Sequence, residues 1–348
     1  MSRKKLIVIF INNHRMTYAH RKELIAAFLS QGHRVVIVLP YGERIEDLKK
    51  MGCEFIDVPM FQRRKTNIIK DFQLFMEYMK ILRRLKPDIV FGFTIKPNTY
   101  GAIAARFNHI PFVATINGLG TGLANGGLMQ KLLVFLYRFS LKSPQKVFFQ
   151  NEGNRDFMLA HNVVPKSFEV IPGSGVNLDE NYLEPYPNET GELIFSVIGR
   201  VMKDKGTNEV IEAARIIKRE FPRVKFRLIG LIEDNYEDKI NSAVYEGIIE
   251  YIPEQYNVHP FIAQSHAIIQ PSYHEGMSNI LLEAASTGRP VLASKVHGCI
   301  ETFDEGKSGL GFEAKNSQDL ARVIRKFIML PYSQKAEMGI NGRKKNGT

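Results

Sequence analysis

The sequence predicts an α/β protein built from two Rossmann-like domains that face each other across a cleft. Three observations carry that prediction. Short apolar runs of strand character alternate with helix-like segments along the chain, the pattern of βα units on parallel sheets. A length of 348 residues with 44% hydrophobic content supplies apolar surface for large cores in one or two domains. Between positions 172 and 190 the composition shifts to three prolines and two glycines, which marks a connection. The expected division is an N-terminal domain over 1–172, a linker over 173–190, a C-terminal domain over 191–330 and a tail over 331–348.

The first domain opens with a strand at Leu6–Ile11, which ends at the polar Asn12, Asn13 and His14. A helix follows at Tyr18–Gln31, closed by Gly32. Strands are then expected at Arg34–Leu39, Phe55–Val58, Ile89–Phe93, Phe112–Ile116, Lys146–Gln150 and Phe168–Ile171. Helices fall between them at Arg44–Met51, Ile68–Leu85, Tyr100–Phe107, Leu128–Ser140 and Asn154–His161. In the second domain the strands are Leu193–Ile198, Lys225–Ile229, Ile248–Tyr251, Ala267–Gln270, Pro290–Ala293 and a short piece near Leu310–Phe312. Its helices are Asn208–Glu220, Asp238–Tyr245, Pro260–Ser265, Asn279–Ser286 and Ser317–Met329.

Two of these helices are unusual. Ile68, Phe72, Phe75, Met79 and Leu82 are spaced by four and three, a stripe expected to face the core. The segment from Leu128 to Leu141 is apolar over more than one face, with Lys131, Arg138 and Lys142 interspersed. That combination predicts contact with a membrane interface, with Arg63, Arg64, Arg83 and Arg84 adding attraction to anionic lipid.

Charge is unevenly placed. Residues 1–150 hold 24 Lys and Arg against 9 Asp and Glu, a net of +15, whereas residues 151–348 carry a net of −4. An anionic partner is therefore expected at the N-terminal half: a membrane surface, nucleic acid or a phosphate-bearing acceptor. Two cysteines, Cys53 and Cys299, make no disulfide framework, which fits a reducing compartment. The basic start is followed by only a short apolar run, and no stretch approaches the roughly 20 apolar residues that span a bilayer.

Chemistry concentrates in two stretches. At 271–290, Glu275 and Gly276 form a polar turn before a helix that carries Glu283 and ends at Gly288 and Pro290. Ser278 or Asn279 caps its start. Free amides and a partial positive charge at that start suit a phosphate, and Glu283 lies about a turn further in, within reach of a sugar hydroxyl. At 193–206 an apolar strand hands over to a helix through Gly199, Arg200, Lys203, Lys205 and Gly206, which places cations where a ligand diphosphate would sit.

These two stretches together, Gly-Arg-x4-Lys-Gly at 199–206 and Glu-Gly-x6-Glu-Ala at 275–284, resemble the nucleotide-sugar half of retaining glycosyltransferases of the GT-B architecture. The similarity is to family four, the glycosyl transferases group 1 set. Three N-terminal segments are similar to its bacterial branch that extends polyprenyl-diphosphate-linked sugars in capsule, O-antigen or related glycan assembly: residues 18–25, 94–101 and 116–121. The resemblance implies that Glu275 contacts the donor sugar, that the amides of Met277 to Asn279 approach the diphosphate, and that Glu283 holds the ribose. Arg200 and Lys205 would bind the diphosphate and stabilise the leaving group. Gly199 and Gly276 complete the expected donor site.

On the acceptor side, His14 and His20 follow the first strand, and the resemblance places an anion contact at Arg21. Lys96 and Asn98 are expected to touch acceptor phosphate or sugar. Many members of the family carry a histidine where Asn117 stands; an amide there hydrogen-bonds but is no base. Gly118, Gly120 and Gly122 allow close backbone approach. No Cys/His spacing of zinc type and no clean Asp-x-Asp is present, Glu233-Asp234-Asn235 being nearest, so neither a divalent metal nor a cofactor is expected. The helix crossing back onto the first domain in this family has no evident counterpart here, which implies a shortened end.

The expected activity is transfer of a hexose or N-acetylhexosamine from a nucleotide sugar, UDP-linked, to a lipid-linked sugar, with retention, on the cytoplasmic face of the cell membrane. Rival readings are a UDP-sugar 2-epimerase of the same architecture, an inactive sugar-nucleotide-binding protein, and a nucleic-acid-binding protein. The last leaves the Glu275/Glu283 pattern unexplained and lacks the known basic-aromatic motifs.

Overall fold

The structure is a computed structural model that describes residues 3–61, 67–124, 126–189, 191–233 and 235–347. The chain divides into two compact units with the boundary between Ser174 and Gly175.

The first unit runs β1 (Leu6–Phe10), α1 (His14–Ser30), β2 (Arg34–Leu39), α2 (Ile45–Lys50), β3 (Glu54–Asp57), α3 (Ile68–Leu85) and β4 (Ile89–Phe93). A π-helical turn at Pro97–Gly101 leads into α4 (Ala102–Phe107), followed by β5 (Phe112–Ile116), α5 (Gly120–Ala124), α6 (Gly127–Ser140), β6 (Lys146–Phe149), α7 (Glu152–Ala160) and β7 (Phe168–Val170). The strands form one sheet in the order β3-β2-β1-β4-β5-β6-β7. Every pairing in it is parallel. Its strands are apolar almost throughout because helices cover both faces, so alternate side chains enter separate cores. Val8, Phe10, Val36 and Val38 point to one, and Ile7, Ile9, Val35 and Ile37 to the other. Asparagines start three of the helices: Asn13 caps α1, Asn67 caps α3 and Asn151 caps α7 by accepting backbone N–H groups.

The second unit runs β8 (Ile194–Ile198), α8 (Thr207–Glu220), β9 (Lys225–Ile229), α9 (Glu237–Tyr245), β10 (Glu250–Ile252), α10 (His259–Gln264), β11 (Ala267–Gln270), α11 (Asn279–Ser286), β12 (Val291–Ser294), β13 (Gly309–Phe312), α12 (Ser317–Ile328) and α13 (Tyr332–Asn346). Its sheet is parallel too, in the order β10-β9-β8-β11-β12-β13. Packed cores lie on both faces.

Three places differ from the sequence reading. The segment expected as a linker is fastened to the second unit from Asn181 onward. Buried Arg289 donates to the Glu184 carbonyl at 3.0 Å and the Pro185 carbonyl at 2.8 Å, and Tyr186 donates to the His266 carbonyl at 2.9 Å. The expected tail contains α13, a 15-residue helix. It packs through Lys335, Met338, Gly339 and Gly342, so its contact stripe has no apolar periodicity to read. The α3 stripe is core only in its second half: Met79 and Leu82 are buried, but Ile68 is 85% exposed and Phe72 61%. Arg63 and Arg64 lie outside the described residues.

Candidate active site

The carboxyl edge of the second sheet is where its loops converge. β8 ends at Ile198, and the chain passes Gly199 and Arg200 into a 3₁₀ turn at Lys203–Lys205. Gly206 then takes a left-handed conformation, φ 70°, before α8. A Cβ at that position would stand 2.2 Å from the Pro271 carbonyl oxygen, so glycine alone lets the turn touch the loop after β11. Two further bonds tie the same loops. Tyr273 N donates to the Asp204 carbonyl at 3.0 Å, and the Tyr273 hydroxyl donates to Glu209 at 2.9 Å.

This contact brings Lys205 Nζ onto Glu275 Oε1. Gln270 Nε2, at the end of β11, donates to the same oxygen at 2.7 Å and to Ser272 Oγ at 3.0 Å. The Lys205 and Glu275 side chains keep 24% and 13% of their exposure. Burial pushes the Glu275 pKa up, but the Lys205 charge and hydrogen bonds from Lys205, Ser272 and Gln270 outweigh it and hold the carboxyl below its ordinary range. Glu275 is therefore ionised at neutral pH. Gly298, φ 85°, backs the loop; a Cβ there would lie 2.5 Å from the Gly276 carbonyl oxygen and 2.9 Å from Glu275 Cβ.

α11 begins just beyond. Ser278 N donates to the Gly298 carbonyl at 2.8 Å, which fixes the helix entry. The Ser278 side chain does not cap the helix, and its buried Oγ has no hydrogen-bond partner. The expectation that Ser278 or Asn279 caps α11 is thus not met for Ser278. The positive end of α11 keeps its field, a suitable place for an anion. Glu283 stands one turn after Asn279. Burial first, and then the Glu180 charge, raise its pKa to about 7, and its carboxylate has no hydrogen-bond or ion-pair partner among the described residues.

Arg200 sits elsewhere on this edge. Its Nη1 donates to Glu233 Oε2 at 2.9 Å, an ion pair between the loops after β8 and β9. Nothing in the local spacing announces this partner, 33 positions away. Asp234, beside it, lies outside the described residues.

The first unit gathers a second group at the carboxyl ends of its strands. Arg21, on α1, is 5% exposed and lies 4.4 Å over the Phe93 ring at the end of β4. Its Nη1 donates to the His20 carbonyl at 2.6 Å and to Ser174 Oγ. Gln150 Nε2, after β6, donates to Ser174 Oγ at 3.2 Å. Asn117, after β5, is oriented by its neighbours so that its amide nitrogen donates to the Thr115 carbonyl at 3.0 Å and its oxygen accepts from Arg21 Nη2 at 2.5 Å. Arg21 has no carboxylate partner among the described residues, and burial draws its pKa down to about 10. It stays charged at neutral pH. His20, half-buried, has its pKa lowered to about 4 by desolvation and then by the Arg21 charge, and is neutral.

The remaining expected acceptor residues are spent internally. Lys96 pairs with Asp71 at 2.6 Å, and Tyr100 donates to the other Asp71 oxygen at 3.2 Å. Asn98 is fully buried and donates to the Thr115 carbonyl at 2.8 Å. His14 Nδ1 accepts from Arg44 N at 3.3 Å. Gly118 stands next to Asn117 with φ 155°. Gln150, Ser174, Phe93 and Gln270 were missed; a polar residue closing an apolar strand, as at Gln150 and Gln270, was the available signal. Among the described residues no group of three or more His, Cys, Asp or Glu side chains is placed to hold a metal ion.

Residues 179–345 match the family described as Glycosyl transferases group 1, and residues 7–151 match Glycosyl transferase 4-like. The N,N'-diacetylbacillosaminyl-diphospho-undecaprenol alpha-1,3-N-acetylgalactosaminyltransferase of Campylobacter jejuni is 27% identical over 323 residues, 88% of this chain and 85% of the relative. The capsular polysaccharide biosynthesis glycosyltransferase CapM of Staphylococcus aureus is 24% identical over 321 residues, 86% of this chain and 82% of the relative. The crystal structure of Anabaena HepE in complex with UDP and glucose aligns with a TM-score of 0.79 at 15% identity, over 98% of this chain and 94% of that one. That likeness shows the fold: two parallel-sheet α/β domains of the GT-B architecture.

Proposed function

We propose, from the premise that the chain belongs to the glycosyl transferases group 1 family, that it moves a hexose or N-acetylhexosamine from a UDP sugar to a polyprenyl-diphosphate-linked sugar, with retention. The observation that carries this reading is the Lys205–Glu275 pair beside the start of α11, which the Ser278 side chain does not cap. A donor diphosphate at that helix start would meet backbone amides on one side and Lys205 on the other. Positive charge held there, away from bulk water, favours the leaving diphosphate more as its charge grows. Glu275, kept ionised, would accept hydroxyl hydrogens of the sugar, and Glu283 those of the ribose. Gly199, Gly276, Met277 and Asn279 line the same edge. Arg200 would serve the diphosphate only by exchanging Glu233 for it.

The acceptor reading draws on the names of two relatives. One acts on a diphospho-undecaprenol-linked sugar and the other builds capsular polysaccharide. Arg21, charged and without a carboxylate, is the group in the first unit that would attract the acceptor diphosphate, with Asn117 beside it. A lipid-linked acceptor implies work at the inner membrane surface. Metal independence belongs to the same reading, and full activity in excess EDTA is its expected outcome.

The test is incubation with UDP-linked hexoses and N-acetylhexosamines plus a polyprenyl-diphosphate saccharide. A lengthened acceptor, free UDP and the donor's anomeric configuration in the product are expected. Epimerised UDP sugar without acceptor would establish the isomerase instead. A nucleotide at 100 times its Kd should add roughly 2.7 kcal/mol to stability. No nucleotide-dependent melting shift in native protein, and no difference in Glu275→Ala, would end the donor-site assignment.

A further inference from the structure

The first unit carries an apolar face that none of its described residues covers. On α6, Leu128, Leu132, Phe135 and Phe139 follow i, i+4, i+7 and i+11, one face of a helix; Leu128 is 85% exposed and Phe135 65%. On α3, Ile68, Phe72 and Met76 repeat every fourth position and are exposed. The two stripes are joined. Phe72 meets Phe75 at 6.4 Å between ring centroids, Phe75 meets Phe107 at 6.5 Å, and Arg106, next in the chain, lies 5.6 Å over the Phe139 ring. Phe107, at the end of α4, is itself 61% exposed. Three helices thus present one continuous apolar surface, which a soluble monomer rarely leaves open without use.

Its margin is cationic. Lys131 and Arg138 sit three residues after Leu128 and Phe135, along one flank of the α6 stripe. No Asp or Glu occurs anywhere from 101 to 150. The α3 acids do not oppose them: Asp71 is buried against Lys96, and Glu77 lies 3.8 Å from Lys80. Exposed phenylalanines and leucines with basic side chains at their edge match the headgroup layer of an anionic bilayer. No helix of the described residues is long and apolar enough to cross a membrane.

We propose that the face built by α3, the end of α4 and α6 docks on anionic lipid, its apolar side chains entering the interfacial layer and Arg106, Lys131 and Arg138 meeting phosphate headgroups. This deepens the proposed function and rests on it only for the lipid nature of the acceptor. The test is flotation of the full-length protein with phosphatidylcholine vesicles, with and without phosphatidylglycerol. Native protein should float with the anionic vesicles and detach as salt is raised. Phe135→Ser/Phe139→Ser and Lys131→Gln/Arg138→Gln should each weaken binding about tenfold or more. Lys131, Arg138 and Phe135 are exposed and Phe139 is about half exposed, so unchanged melting confirms folding. Transfer to a short-chain, water-soluble acceptor should be unaffected in both variants, which separates loss of docking from failure of the transferase reading. Absence of flotation at low salt, or flotation indifferent to Phe135→Ser/Phe139→Ser, overturns the proposal. So does a dimer in solution that this variant dissociates, which would assign the face to a second copy.

Discussion

Each unit holds a cation at the carboxyl edge of its sheet, and they do so in opposite ways. Lys205, half-buried, lies against a carboxylate, Glu275, which its charge and the hydrogen bonds of Ser272 and Gln270 keep ionised. Arg21 is buried against neutral dipoles and a phenylalanine ring: a carbonyl, a hydroxyl, an amide and Phe93. Removing a guanidinium from water without a counter-charge costs several kcal/mol, so those neutral contacts offset only part of it. The two environments offer a ligand different things. In the second unit the charge is already balanced, and a diphosphate must share Lys205 with Glu275. In the first, one positive charge remains uncancelled, and an anion gains its full attraction.

The sharpest way to break this comparison is to split the pair. Lys205→Ala removes the Lys205 charge from Glu275 and leaves the carboxylate to neutral donors such as Gln270, and should destabilise the fold by about 3 kcal/mol as well as slow transfer about 10²–10³-fold. Removing both partners, Lys205→Ala with Glu275→Gln, should recover most of the stability and none of the activity. Denaturant midpoints alongside kcat decide it; a single variant as stable as wild type would show that the pair is not coupled.

Arg21→Met should behave differently, because no carboxylate is orphaned. The acceptor KM is expected to rise about ten- to a hundredfold, the scale of one charge-assisted contact. The donor KM should not move. Stability should fall by less than it does in Lys205→Ala. Equal losses in the two variants would erase the distinction between the sites.

Gly206→Ala tests the geometry that makes the second site. A left-handed alanine whose Cβ meets the Pro271 carbonyl should cost about 1–3 kcal/mol. The melting temperature should drop with donor affinity, since the same turn carries Lys205. An unchanged donor KM would mean that this loop contact does not set the Lys205–Glu275 pair.

The smallest expected effect is a pH dependence at Glu283. Its pKa is raised to about 7 in the folded chain, above the ordinary value of about 4.3. The folded state therefore holds a proton that the unfolded state has already lost, and this group weakens the fold as pH rises between those values. Ribose hydroxyls donate to the ionised form, so UDP affinity should increase about tenfold from pH 6 to pH 8. Titration calorimetry at both pH values checks it, and Glu283→Gln should flatten the slope.

Much of the fold was legible because parallel strands buried on both faces are written as dense apolar runs. β2, β4, β5, β9 and β11 carry the boundaries that the sequence suggested. α13 was not legible, because its contact face is made by absence. A Cβ on Gly339 would stand 2.0 Å from the Gly288 carbonyl oxygen, and Lys335 beside it is buried by pairing with Glu189 at 2.7 Å. The site was half legible. Glu275, Lys205 and the start of α11 declare themselves through spacing, whereas Lys96 looked available until Asp71, on a helix 25 positions earlier, was placed next to it.

By itself, then, the sequence determined the two parallel sheets, the helices that cover them and the loops that hold chemistry, since hydrophobic period and glycine placement act over a few neighbouring residues. Which charges are cancelled was set by the packing of distant segments. Ion pairing depends on distances of a few ångströms between segments far apart in the chain, and the sequence does not state those distances. That is why Arg21 stands without a counter-ion among the described residues, Arg200 faces Glu233, and half of the α3 stripe meets solvent.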